Sequence, residues 1–314
     1  MVELAAMREA ITKAAAQIEN TAQIENTAAI EVTAVGGFFV GGREHDGRSE
    51  GQTYVQYVRQ ARPSSAFPLL LLHGGGLTGA CFGDTPDGRP GWQWDFLRAG
   101  LDVLVADGAG YGRASYRPRP AEPSLLRDRQ TLWDLFRVGY PDTRFPTAAF
   151  DAFLQQVVPV GRDHDLPALR QAGYNALLNE VGPCLLLTHS AAGPYGFRSS
   201  LKLPETIRAH IAVEPSGAPD PQSLTASPIP HLFLWGDHLD DDPMWRDEYA
   251  SARRFHDALC DLGADSEWID LPALGITGNS HLLMMDDNST QLSAMLCDWL
   301  RRKGLMTPHP QTPK

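Results

Sequence analysis

The sequence predicts an α/β protein built on a mainly parallel central sheet with helices on both faces. Three observations carry that expectation. Six short apolar runs each stop at Gly, Asp, His or Pro, as strands buried on both faces do. Helical stretches fill most gaps between them, and strand, helix, strand repeated along a chain gives a parallel sheet. The residues that close the runs include His73, Asp107, Ser190, Glu214 and Asp237, and in such sheets chemistry gathers at the carboxyl ends of the strands.

In chain order, EVTAVGGFFVGG (31–42) and QTYVQYVRQ (52–60) read as two antiparallel strands, the second alternating apolar with polar. PLLLLHGGG (68–76), LDVLVADGAG (101–110), CLLLTHS (184–190), RAHIAVEPSG (208–217), HLFLWGDH (231–238) and DSEWIDLP (265–272) follow. Helices are expected over roughly 166–181, 191–203, 244–262 and 288–302. The stretch 113–165 has no sheet strand. In it Trp133, Phe136, Phe145, Phe150 and Phe153 fall on partly helical spacing, which predicts a helical cap whose aromatics mostly fill its own core. The main domain is expected over 31–304. Residues 1–30, with QIENTA repeated at 17–22 and 23–28, predict a helical or disordered arm, and 305–314, ending in TPHPQTPK, a flexible tail.

Composition bounds the function classes. The 314 residues are 43% hydrophobic and 21% charged, with no apolar run long enough to span a bilayer, so no membrane association is expected. A formal net charge of −11 and no clustered basic face exclude a nucleic-acid partner from the reading. The four cysteines, Cys81, Cys184, Cys260 and Cys297, lie far apart with no metal-ligand spacing, which predicts free and mostly buried thiols and no metal. The first 30 residues carry several charges and lack the apolar core of a secretory signal. A cytoplasmic protein is therefore expected unless a signal was removed.

CLLLTHSAAG (184–193) places Ser190 between an apolar strand and a small-residue helix start, the context of a nucleophile elbow. The usual Gly-x-Ser-x-Gly is missed at both glycines, where Thr188 and Ala192 stand; both are small, and Gly193 follows directly. A serine hydroxyl needs a base, and the base needs an acid to fix its tautomer. His281, in GNSHLLMMDDNS (278–289) between the last strand and the last helix, is the candidate base. His189 is expected to point away from the crevice and His73 to be structural, with His164, His231, His238, His256 and His309 in structural or surface roles. For the acid, Asp237 in WGDH and Glu214 in VEPSG both close strands, and counting residues does not separate them. HGGGLTG (73–79) offers the Gly75 N–H and the elbow offers that of Ala191 as oxyanion donors. The glycine-rich loop is not followed by Lys-Ser/Thr, which argues against a phosphate loop.

HGGGLTG, TPDGRPGW (85–92) and GNSH (278–281) together make the chain resemble the α/β-hydrolases, and more narrowly a small bacterial carboxylesterase family with these three segments, over about Gly36 to Leu300. The resemblance implies an α/β-hydrolase fold with a cap insertion. Its elbow, GHS-x-SG, accounts for the late glycine at 193, and its Val-Glu-Pro acid matches Val213, Glu214 and Pro215, which moves the assignment from Asp237 to Glu214. Gly75 and Gly76 stand where members can carry adjacent cysteines, and Thr188 replaces the first elbow glycine.

The reading is a serine hydrolase for a small-molecule carboxylic ester or lactone: Ser190 as nucleophile, His281 as base, Glu214 as acid, Gly75 and Ala191 as oxyanion donors, and no cofactor. A homodimer is compatible with it. Two alternatives stand beside it: acyl transfer on the same triad, and a ligand-binding protein that keeps the fold without turnover.

Overall fold

The computed structural model describes residues 29–45, 47–114, 125–161, 163–224 and 227–307. Residues 1–28 of the expected N-terminal arm, including both QIENTA copies, part of the cap stretch and the tail from 308, with His309, lie outside these residues.

The described strands are β1 (Val32–His45), β2 (Arg48–Gln60), β3 (Leu69–Leu72), β4 (Val103–Asp107), β5 (Cys184–His189), β6 (Ile207–Val213), β7 (His231–Trp235) and β8 (Ser266–Asp270). They form one sheet in the order β1-β2-β4-β3-β5-β6-β7-β8. β1 and β2 pair antiparallel, β2 meets β4 antiparallel, and the pairs from β4 to β8 are parallel. The expected parallel sheet with an antiparallel pair at its start is what forms.

The central strands show why their runs are continuously apolar. Leu69, Leu71, Leu185 and Leu187 enter the hydrophobic cluster on one face, while Leu70, Leu72 and Leu186 enter the cluster on the other. Successive strand residues point to opposite faces, so two buried faces need an apolar residue at every position. Full burial of each such side chain is worth roughly 1.5–3 kcal/mol. One face is covered by α1 (Trp92–Arg98) and α7 (Ser289–Arg302), through Phe96, Leu97, Leu292, Leu296 and Trp299. α1 is a helix that the sequence pattern did not bring out. The other face is covered by α4 (Leu166–Val181) and α5 (Gly193–Lys202), and α6 (Pro243–Asp261) packs Phe255 and Leu259 against Phe233.

The cap stretch holds α2 (Arg129–Leu135) and α3 (Phe150–Leu154), with Leu125 bridging Val160. Phe136, Phe145, Phe150 and Phe153 form edge-to-face and tilted pairs with centroids 5.6–6.1 Å apart. This aromatic cluster is continuous with the main core rather than a core of its own. At the other end Met306 is buried and Thr307 N donates to Ser64 O at 2.7 Å, so packing runs three residues beyond the expected boundary at 304. Among the described residues no helix is long and apolar enough to cross a membrane, and the four cysteines are free, with only Cys260 exposed.

Candidate active site

Four non-glycine residues among those described have positive φ: Arg137, Ser190, Glu214 and His238. Each such conformation costs on the order of 1–3 kcal/mol and persists only where surrounding contacts hold it, which makes these positions functional candidates. The first three meet in one place.

Ser190 (φ 53) follows β5 directly, in a 3₁₀ turn that leads into α5. The elbow's steric demands are met by displaced glycines. A Cβ on Gly193 would lie 2.5 Å from Pro215 Cβ, and one on Gly196 would lie 2.6 Å from Thr188 Cγ2. Thr188 therefore fits where a glycine is usual because Gly196 gives it room, and its Oγ1 sits 2.8 Å from His210 Nε2.

Glu214 (φ 43) stands one residue beyond β6 and is fully buried. His281 Nδ1 donates to its Oε2 at 2.5 Å, and Gly236 N donates to its Oε1 at 2.7 Å. Arg137, from the cap, donates its Nη2 to both carboxylate oxygens at 2.5 and 2.7 Å, and its Nε to Asp237 O at 2.8 Å. Burial alone would raise the Glu214 carboxyl, but the Arg137 guanidinium and the His281 hydrogen bond hold it at about 2. The carboxylate is therefore ionised and fully partnered.

His281 is enclosed by aromatic rings, with Trp245 at 4.0 Å, His189 at 4.7 Å and Phe136 stacked at 5.6 Å. Burial lowers its pKa, against the raising effect of Glu214. With Nδ1–H given to Glu214, Nε2 carries the lone pair, and that atom is buried with no hydrogen-bond partner. Ser190 Oγ lies 3.1 Å from Ser216 Oγ. The Ser190–His281 hydrogen bond is thus not formed in this arrangement.

Asp237 is placed elsewhere. Its Oδ2 accepts from Gly278 N at 2.9 Å and its Oδ1 from His238 N at 2.7 Å, so it shapes the loop before His281 and does not touch the imidazole. His189 departs from expectation. Rather than pointing away, it is buried against His281, with its Nε2 2.9 Å from the His281 carbonyl oxygen.

Gly74 and Gly75 lie against the elbow. A Cβ on Gly74 would come within 2.8 Å of His189 Nδ1 and 2.9 Å of Ser190 Cβ, and one on Gly75 would be 3.4 Å from Ala191 Cβ. The backbones of Gly75 and Ala191 are therefore neighbours. His73 is structural, its Nδ1 bonding Gly74 O at 2.8 Å. Asp107 accepts from Gly79 N and from Arg113 Nε, which fixes the same loop.

The loop carrying His281 is braced from three sides. Asp286 accepts from Ser280 N and Oγ and from Asn279 Nδ2; burial raises its carboxyl to about 7 despite these bonds. Arg89 of TPDGRPGW donates to Met285 O and Asp286 O, and Trp92 Nε1 to Ser289 O. From the cap, Phe136 O accepts from His281 N, and Arg144 N donates to Gly278 O. Arg137 and Arg89 are the residues sequence reasoning missed. The available signal for Arg137 was a lone charge inside the apolar run LFRVG.

No family model matches the sequence. A bacterial esterase solved at atomic resolution is 31% identical, with a TM-score of 0.82, over 88% of this chain and 98% of that one. A fungal protein (strain ATCC 74256) named "Probable secreted lipase phiG" is 27% identical over 328 residues, covering 85% of this chain and 89% of that one. The solved esterase Est22, 11% identical with a TM-score of 0.50 over 94% of this chain and 91% of that one, shares the fold. With a sheet that runs parallel from β4 to β8, a strand-turn-helix elbow at Ser190 and that bacterial esterase as a near full-length relative, the chain belongs to the α/β-hydrolase-fold esterases.

Proposed function

We propose that this protein hydrolyses a small-molecule carboxylic ester or lactone through an acyl-enzyme intermediate. The observation that carries the reading is the buried Glu214–His281 hydrogen bond at 2.5 Å, with the left-handed Ser190 adjoining it through the neighbouring His189 ring. It is supported by the likeness to a bacterial esterase and to a fungal lipase.

The steps follow from the atoms available. Ser190 Oγ leaves Ser216 and gives its proton to His281 Nε2, the buried nitrogen that has no other partner. Catalytic hydrogen bonds in unliganded sites often form only when substrate arrives. Oγ bonds to the acyl carbon, and the N–H groups of Gly75 and Ala191 receive the resulting oxyanion. Glu214 stays ionised throughout and stabilises the imidazolium. His281 then protonates the departing alkoxide, which leaves with an open ester and stays tethered with a lactone. Water enters and gives a proton to His281 as its oxygen bonds to the acyl carbon; the acyl–Oγ bond then breaks as His281 returns that proton to Ser190 Oγ, which releases the free acid and restores the serine.

A fluorophosphonate probe followed by peptide mass spectrometry tests this directly. Ser190 is expected to be the labelled residue, with Ser190→Ala abolishing both labelling and ester turnover. An unlabelled, inactive wild-type protein would mean a ligand-binding module instead. Adding a competing alcohol during turnover separates hydrolysis, which gives the free acid, from acyl transfer, which gives the new ester.

A further inference from the structure

Arg170, on α4, is only 6% exposed. Its Nε donates to Ala109 O at 2.8 Å, its guanidinium lies 4.1 Å from the centre of the Tyr111 ring, and its Nη2 is buried with no hydrogen-bond partner. Among the described residues no carboxylate pairs with it. Asp165, the residue before α4, pairs with Arg43 and His164, and Asp107 pairs with Arg113. A guanidinium taken out of water costs several kcal/mol unless an anion compensates it. One carbonyl and one ring face leave most of its five donors unused.

The same side chain lines a narrow cleft with His73, Tyr111, Tyr174, Tyr195, Ala191 and Ala192. That cleft adjoins the candidate oxyanion loop, since a Cβ on Gly75 would lie 3.4 Å from Ala191 Cβ and 3.8 Å from the Tyr111 hydroxyl. A buried, unpaired cation thus stands beside the place where an ester carbonyl would be held. The protein as a whole is strongly acidic, so an anionic substrate would need such a local cation to bind.

We infer that the cleft receives a carboxylate on the acyl part of the substrate, so that the preferred esters are half-esters of short dicarboxylic acids. The inference rests on the hydrolase reading above. The guanidinium carries a positive charge and unused N–H donors that a carboxylate matches and a neutral ester group does not. Because Tyr111 touches both the Arg170 guanidinium and the space beside Gly75, the arm between the ester carbonyl and the carboxylate is a few carbons long.

The test compares mono-p-nitrophenyl succinate and glutarate with their methyl esters, which have the same reach and no charge, in wild type, Arg170→Met and Arg170→Lys. Wild type is expected to favour the half-esters by about tenfold or more in kcat/KM, as a site built for a polar group rejects an analogue that cannot pair with it. Arg170→Met should lower kcat/KM for the half-esters at least about tenfold more than for the methyl esters, and Arg170→Lys should fall between. Equal kcat/KM for the two series in wild type overturns the inference whether or not the variants fold, and so does a preference that survives in Arg170→Met. Labelling of Ser190 together with turnover of the neutral esters reports on the underlying reading: a labelled, active enzyme indifferent to the carboxylate defeats this inference alone. Absence of both label and turnover defeats the hydrolase reading itself.

Discussion

Arg137 and Glu214 form a buried ion pair across the joint between cap and sheet, with one guanidinium nitrogen 2.5 and 2.7 Å from the two carboxylate oxygens. Neither side chain is more than 1% exposed. The cap is therefore part of the candidate catalytic centre, because the acid that orients His281 takes its counter-charge from a cap residue. Removing one partner of a buried pair costs about 3–5 kcal/mol, since the other charge is left uncompensated. Arg137→Gln is expected to show that loss in denaturant unfolding. It should also move the acid limb of kcat to higher pH, because Arg137 lowers the pKa of both Glu214 and His281. Unchanged stability and an unchanged pH profile would show that the pair is dispensable.

Glu214 and Asp237 separate cleanly as carboxylates. Glu214→Gln removes the acceptor of the His281 Nδ1–H, and loss of the equivalent charge in a serine triad lowers kcat by about 10⁴-fold. Asp237→Asn is expected to act through Gly278 and His238, which donate their N–H groups to it, and to be far milder, because the Glu214–His281 hydrogen bond is left in place. Steady-state kinetics on a soluble ester, with circular dichroism to confirm folding, gives the ranking. The reverse order would transfer the acid to Asp237.

The pH dependence has a defined sign. The base must be neutral, and burial lowers the pKa of His281 below its ordinary value near 6.5. Activity should therefore persist below that value and be lost as pH falls through the lowered pKa. The folded Glu214 carboxyl, at about 2, lies below its unfolded value of roughly 4.3. Its contribution to stability is present above that unfolded value and lost as pH falls toward 2. A kcat/KM profile and a series of unfolding curves from pH 3 to 8 check the two parts separately. An acid limb centred above pH 6.5 would contradict the first.

The sheet was legible in the sequence because strands buried on both faces must be apolar at every position, and the residues that end them are conspicuous for that reason. Ser190, Glu214 and Asp237 could all be picked out as strand ends. The choice between the two acids could not be made from spacing, since it depends on how β6 and β7 sit in register and on Gly236 N reaching Glu214. A Cβ on Gly236 would lie 2.8 Å from the Glu214 Oε1, a constraint no local pattern records. Arg137 was illegible for a related reason: its partner is 77 residues away along the chain. The segment TPDGRPGW stood out as a motif, but its work, Arg89 on the carbonyls of residues 285 and 286, spans nearly two hundred residues.

The two loop glycines at the elbow make different demands and should respond differently to the same change. At Gly74 an added methyl would meet the His189 ring at 2.8 Å and Ser190 Cβ at 2.9 Å, distances that force the loop away from the nucleophile. At Gly75 the added methyl would meet Ala191 Cβ at 3.4 Å, an ordinary contact that keeps the backbone N–H in position. Misplacing an oxyanion donor costs about 10²–10³ in kcat. Gly74→Ala is therefore expected to lose that much in kcat with a smaller change in KM, while Gly75→Ala should lose less than about tenfold, because it moves the donor little. If Gly75→Ala were the more damaging of the two, the close approach of Gly74 to the elbow would not be what sets the donor's position, and the methyl beside Ala191 would instead be entering space that the substrate needs.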